Sequence, residues 1–237
     1  MTFSTTVAAR QPQDIRTTES TPSSRVGRFA AAVRMAFATL AIVATVAVAG
    51  TGTAAAGRER TPDPIADQAA LGLSLWRQYE VSADASVLAS YTSQRDAVAA
   101  SVAARLMIDP STLQHVWAAA DAEHQEALLA GLTQLGVPYR RNTSKEGEGF
   151  DCSGLTTYAW GQAGFTLARQ SSTQIRQAAP RTFETAQAGD LVQYPGHVMM
   201  WLGVGKSILH SPYSGRNVEV VTLSSKRSLK VGDPTGA

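Results

Sequence analysis

The chain has 237 residues, a formal net charge of +2, one cysteine and four histidines. So small a charge excludes a dedicated nucleic-acid surface. No Walker or dinucleotide glycine motif and no spaced Cys/His metal set occurs, so no nucleotide cofactor and no metal is expected. Residues 1–24 are rich in Ser, Thr and Gln without apolar periodicity, the composition of a disordered segment. Arg25, Arg28 and Arg34 follow, then an uncharged run over 35–57 with its apolar centre at Leu40 to Ala49 and Ala54-Ala55-Ala56 near its end. That is the layout of a secretory signal peptide, with cleavage expected near Ala56 or Ala49. Left uncleaved, the run is long enough to anchor the chain in a membrane. No other membrane contact is expected. No Arg-Arg pair precedes the run, so the twin-arginine route is not expected.

The remaining stretch, roughly 180 residues, suits one domain with an attached subdomain. Residues 58–64 form a linker. From Ile65 to Gly136 the pattern is helical. Ile65, Ala69, Leu73, Trp76 and Tyr79 form one stripe, and Val87, Tyr91, Val98, Val102 and Leu106 a second. Asp109-Pro110 is a helix start, a cap followed by a proline whose missing N–H costs nothing there. Leu113, Val116, Trp117 and Ala120 continue it. Leu128, Leu132 and Leu135 make a last stripe, closed by Gly136 and Pro138. His115 and His124 are nine residues apart, which misses the one-turn spacing of a helical metal pair. They read as surface or packing residues. The helices up to residue 121 are expected to serve as a spacer or a lid.

A polar loop over 140–149 leads to Phe150-Asp151-Cys152-Ser153-Gly154-Leu155, which holds the lone cysteine. Asp151 is a good N-cap. Cys152 then opens a helix, with its sulfur at the positive end of the dipole, a position that favours thiolate. Leu155, Ala159 and Ala163 continue the stripe, and Gly164 is the stop. A single thiol in an exported chain cannot pair within its own chain, so it is intermolecular or reactive.

After a short helical stretch within Leu167 to Ala178, the residue types change to strands. These run over Leu191–Tyr194, His197–Leu202, Lys206–His210 and Asn217–Leu223. The tail from Ser224 is polar and expected to fray. The turn between the second and third of these strands decides whether His197 and His210 can meet. Faces alternate along a strand, so an even number of turn residues sets Met199 opposite His210 and puts both imidazoles on one face. A three-residue turn would part them. With an even turn, Met199 and Trp201 share the face of His197, and the cysteine helix is expected on that face with Ile208 beneath it and Leu209 on the reverse. A nearby imidazole to take the thiol proton, and a third polar group to hold that imidazole, is the requirement of a cysteine nucleophile.

From Leu128 to about Leu223 the chain resembles the NlpC-type peptidoglycan endopeptidases, a papain-like cysteine peptidase family. The resembling residues are Leu135-Gly136-Val137-Pro138-Tyr139, Phe150 to Leu155, Gln174, Ala188-Gly189-Asp190-Leu191-Val192, His197 to Gly203, and His210. The resemblance implies an α+β fold in which a cysteine helix packs on an antiparallel sheet carrying the histidines. It implies Cys152 as nucleophile, His197 as base and His210 as the residue that orients it. Tyr139, Asp151, Ser153 and Arg169 match substrate-binding positions. The implied partner is the peptidoglycan stem peptide, cleaved between D-γ-glutamate and diaminopimelate by a secreted monomer that needs no cofactor. A non-catalytic wall-binding protein and an acyltransferase of the same fold are the alternatives. The expected organisation is a signal region over 1–57, a helical accessory region over 58–121 and a catalytic domain over 122–237. Arg140-Arg141-Asn142 and Leu167-Ala168-Arg169 depart from the family pattern, so the shape of the pocket is expected to differ while the chemistry is kept.

Overall fold

The computed structural model describes residues 59–224 and 228–236. The expected signal region, with its cleavage point, lies outside the described residues. Four helices come first: α1 (Pro64–Ser82), α2 (Ala85–Leu106), α3 (Pro110–Ala119) and α4 (Ala122–Leu132). The start of α3 is the one expected from Asp109-Pro110, and α1 begins in the same way. Asp63 accepts from the Ile65 N–H at 3.0 Å and Asp109 from the Thr112 N–H at 3.0 Å, each with proline as the next residue. Such caps satisfy N–H groups that have no partner inside the helix. Among the described residues no helix is long and apolar enough to cross a membrane.

A short hairpin of β1 (Ser144–Lys145) and β2 (Gly149–Phe150) then precedes α5 (Cys152–Gln162) and α6 (Ser171–Gln177). The remaining strands are β3 (Ala179–Arg181), β4 (Leu191–Tyr194), β5 (His197–Trp201), β6 (Ser207–His210), β7 (Glu219–Thr222) and β8 (Lys230–Asp233). They form an antiparallel sheet in the order β3-β8-β4-β5-β6-β7. The fold is therefore α+β, with the cysteine at the start of a helix that packs on this sheet. The tail does not fray as expected. Residues 230–233 slot between β3 and β4, where Val231 and Asp233 are buried. Four residues with a lysine and a glycine carry no readable strand pattern. The vacant edge of β4 supplies their hydrogen bonds.

Both faces of the sheet are covered. Val198, Met200, Leu202 and Leu209 join Leu155, Ala159 and Trp160 of α5 and the leucines of α4 in one core. Met199, Trp201 and Ile208 point the other way, into a smaller cluster with Val192 and Val231. The expected placement of the cysteine helix is thus reversed. Leu209, not Ile208, lies under the helices: a Cβ placed on Gly131 of α4 would stand 2.8 Å from Leu209 and 3.5 Å from Ala159. Alternation alone does not say which of two apolar faces meets a helix, because both carry bulky residues here.

The first three helices also differ from a free spacer or lid. Ile65, Leu73, Tyr91, Val98, Val102, Leu113 and Trp117 belong to the same core as α5 and the sheet. The buried Trp117 indole donates to the Leu202 carbonyl at 2.9 Å. The entry segment is tied down as well. Thr61 N–H donates to the Gly136 carbonyl at 2.9 Å, and Asn217 Nδ2 donates to Thr61 Oγ1 at 2.9 Å. Gly136 has φ 79°, and a Cβ there would fall 1.9 Å from the Thr61 carbonyl oxygen. Only glycine allows that approach. Each large apolar side chain uncovered costs about 1.5–3 kcal/mol, so four of them match much of the roughly 5–15 kcal/mol that holds a domain together. A chain begun at Ala122 is therefore expected to lose cooperative thermal unfolding by circular dichroism. A sharp transition within a few degrees of the full chain would show the helices to be separable.

Candidate active site

The start of α5 is built from its neighbours inward. Asp151 is extended, with φ −91° and ψ 179°, and its Oδ1 accepts from the Gly154 N–H at 2.7 Å. Cys152 is the first helical residue and is partly buried. Gly154 is required by packing. A Cβ there would lie 2.1 Å from the Thr143 carbonyl, the same carbonyl that accepts from the Asp151 N–H at 3.0 Å. From the other side Gln174, nearly fully buried, donates to the Ser153 carbonyl at 3.0 Å and to the Ala168 carbonyl at 2.8 Å. The helix start is clamped between the 143 loop and the 168 loop.

Arg169 extends this clamp. Its Nη1 donates to Asp151 Oδ1 and to Ser153 Oγ, both at 2.9 Å, and its Nη2 donates to Asp151 Oδ2 at 2.7 Å. The guanidinium side chain remains 42% exposed. It lines a polar groove of about 530 Å³ with Asn142, Ser171 and Ser172. Asp151 and Ser153 line the same groove and hold Arg169 in it. Tyr139 pairs with Phe150 in a short parallel bridge. Burial first, then negative charge on Cys152 and Asp151, raises the Tyr139 phenol above its usual value. It stays a hydrogen-bond donor beside the thiol.

The histidines come from the hairpin of β5 and β6. Met200 pairs with Leu209 and Trp201 with Ile208, and the Leu202 N–H donates to the Ser207 carbonyl at 3.0 Å. The turn is therefore Gly203 to Lys206, one of the even lengths. Continuing the register one step sets Met199 opposite His210. His197 Nε2 then lies 2.9 Å from His210 Nδ1. Both rings are over nine-tenths buried, and the Tyr194 ring lies 5.3 Å from that of His197. Ser211, next to His210, donates from Oγ to the Phe150 carbonyl at 2.7 Å. That bond joins the histidine strand to the loop that carries Cys152.

A model of the NlpC/P60 family matches residues 136–231. Over 181 residues the chain is 33% identical to a probable endopeptidase of Corynebacterium glutamicum, covering 74% of this chain and 76% of the relative. The chain belongs to the NlpC/P60 family. It is accordingly a papain-like cysteine peptidase of the group that acts on cell-wall peptides. A γ-D-glutamyl-L-lysine dipeptidyl-peptidase of Bacillus cereus is 35% identical over 108 residues, which are 42% of this chain and 32% of that one. Among solved structures, an NlpC/P60 family protein from Bacillus cereus is 32% identical over 44% of this chain and 36% of its own, with a TM-score of 0.40. The chain thus spans most of the Corynebacterium relative and about a third of each Bacillus protein.

Three residues around the histidine pair had no signal in the sequence. Ser211 was an ordinary residue after a strand. Arg216 and Glu219 were parts of a loop and a strand of no evident chemistry. Glu219 Oε1 lies 3.3 Å from His210 Nε2, and Arg216 donates to Glu219 Oε2. His115 is exposed, whereas His124 is buried on α4. Among the described residues His124, Asp190 and Asp233 form a group whose ligand atoms lie within 4.8 Å of one another. His124 Nε2 pairs with Asp190 Oδ1 at 3.0 Å and Asp233 Oδ1 at 3.5 Å, and Arg181 donates to Asp233 Oδ2 at 2.9 Å. Those pairs engage every member, so the group is a joint between α4 and the sheet.

Burial, helped by the Arg216 guanidinium, pushes His210 from 6.5 down to about 4. The Glu219 carboxylate leans the other way, but it is already bound by Arg216, and burial decides. The folded chain therefore binds this proton more weakly than the unfolded chain. Stability is expected to fall as pH drops from about 6.5 towards 4 and to level off below that. Urea unfolding across that range checks it, and His210→Gln should flatten the slope. Ser211→Ala removes one of two donors to the buried Phe150 carbonyl, which keeps the Arg140 N–H at 2.9 Å, so a loss of about 0.5–1.5 kcal/mol is expected in the same assay.

Proposed function

We propose that this enzyme hydrolyses the amide bond between D-γ-glutamate and diaminopimelate in peptidoglycan stem peptides, on the outer side of a bacterial membrane. The observation that carries the reading is the 2.9 Å contact between His197 Nε2 and His210 Nδ1, on strands tied through Ser211 to the loop of the lone cysteine. Cys152 Sγ attacks the carbonyl carbon of the γ-glutamyl group, and His197 takes the thiol proton. The backbone N–H of Cys152, at a helix start where N–H groups lack internal acceptors, stabilises the oxyanion. His197 then returns the proton to the leaving amine, which departs as the C–N bond breaks. Water, activated by His197, cleaves the thioester and frees the acid.

His210 is the orienting residue. Tyr139, Asp151, Ser153 and Arg169 bind the acyl side of the stem peptide along the polar groove. The Bacillus cereus relative is named for a γ-D-glutamyl bond, which supports this acyl side. The signal region over 1–57 is proposed to direct export, residues 58–121 to form the accessory region and 122–237 the catalytic part. The test is mass spectrometry of purified peptidoglycan after digestion. The expected products end in free D-glutamate on one side and begin with the diaminopimelate amine on the other. Products of a different bond would overturn the assignment, as would transfer to an added amine in place of hydrolysis.

Cys152→Ala is expected to abolish product release while circular dichroism stays unchanged. His197→Ala should lose roughly 10²- to 10⁴-fold in rate, the contribution of a general base. His210→Asn and His210→Gln should keep part of the rate, because an amide oxygen can still accept from His197. Equal and complete losses at both histidines, amide replacements included, would contradict the separate roles.

A further inference from the structure

The register of the sheet sets an acid beside the histidine pair. His210 on β6 is directly opposite Glu219 on β7. Its Nε2 lies 3.3 Å from Glu219 Oε1, and its Nδ1 lies 2.9 Å from His197 Nε2. Glu219 is held from outside. Arg216 donates to its other oxygen, and the Arg216 guanidinium lies 5.8 Å from the Tyr213 ring. A carboxylate in an ion pair offers only acceptors. The proton between His210 and Glu219 therefore belongs to His210 Nε2. A neutral imidazole carries one N–H, so His210 Nδ1 is an acceptor. The proton of the His197–His210 contact then sits on His197 Nε2, and the lone pair of His197 is at Nδ1.

We infer that Glu219, fixed by Arg216, is a positioning residue that sets the tautomers of both histidines and thereby makes Nδ1 of His197 the base. The inference rests on the assignment of Cys152 and His197 given above. In the proton transfer the S–H bond breaks, its electron pair stays on sulfur to form the C–S bond, and the proton goes to His197 Nδ1. The imidazolium so formed keeps its Nε2–H donating to His210 Nδ1, and nothing has to turn. With His210 in the other tautomer, two N–H groups would face each other as soon as His197 became charged. Glu219 excludes that arrangement before the reaction begins, which is preorganisation of the kind that lowers a barrier without a contact to substrate.

The test reads the tautomers directly. Long-range proton–nitrogen spectra of the histidine rings, taken on the labelled full-length chain near neutral pH, are expected to show His210 protonated at Nε2 and His197 protonated at Nε2. Glu219→Ala should remove the single fixed tautomer of His210 and lower kcat roughly tenfold, with KM held within about twofold. Glu219→Gln keeps an oxygen that can accept from Nε2 and should restore most of the rate and the wild-type ring spectrum. A wild-type spectrum with His210 protonated at Nδ1 would overturn the inference. So would a Glu219→Ala chain with unchanged tautomer and unchanged kcat. Hydrolysis surviving in Cys152→Ala would instead overturn the nucleophile assignment and leave the tautomers untouched, so the two failures are distinguishable.

Discussion

The four-residue turn from Gly203 to Lys206 is the constraint on which the site depends. Because it is even, Met200 meets Leu209, and His197 and His210 fall on one face. The same pairing sends Met200 and Leu209 to the opposite face, where α4 and α5 pack. One register thus serves both the histidine pair and the core. Slipping it by one residue would separate the imidazoles and turn Leu209 away from the helices at once. Buried apolar residues on both faces penalise such a slip, so the hydrophobic core enforces the geometry of the histidine pair.

A second set of bonds ties the segment ahead of the helix start to the ends of the histidine strands. Ser211 holds the Phe150 carbonyl, and Gly136 to Tyr139 run alongside residues 216–218 through backbone bonds. The segment that leads into Cys152 is therefore anchored to the strand ends that carry His210 and Glu219. Asp151 serves two tasks with one carboxylate. It caps α5 and holds Arg169 at the edge of the groove. A single charge at the helix start so links the position of the thiol to that of the groove's exposed guanidinium.

The accessory helices take part in this architecture by bearing on its supports. Thr61 meets both Gly136 and Asn217, which lie at the root of the segment leading to Tyr139 and of the strand holding Glu219. Trp117 braces Leu202 at the entry to the β5–β6 turn. His124, between Asp190 and Asp233, ties α4 to the turn before β4 and to β8 through groups that are almost completely buried. A buried carboxylate is costly unless it is paired and hydrogen-bonded. Arg181 and Thr235 supply the remaining partners of Asp233.

Local chemistry was sufficient for much of this. The caps at Asp109 and Asp151, the proline after the first of them, and the residue types of β5 are short-range preferences, and they locate two helix starts and the strand with few residues of context. The parity rule for the turn also came from the sequence, because strand geometry is fixed by the backbone. What the sequence could not decide was the choice among options of equal local merit. It did not select the even turn, the face of the sheet that meets α5, or the pairing of residues 230–233 between β3 and β4. Nor did it mark Glu219, Arg216 and Ser211 as neighbours of the site. Those outcomes depend on contacts between residues far apart in the chain, where burial and the need to satisfy every buried hydrogen-bonding group act on the whole fold.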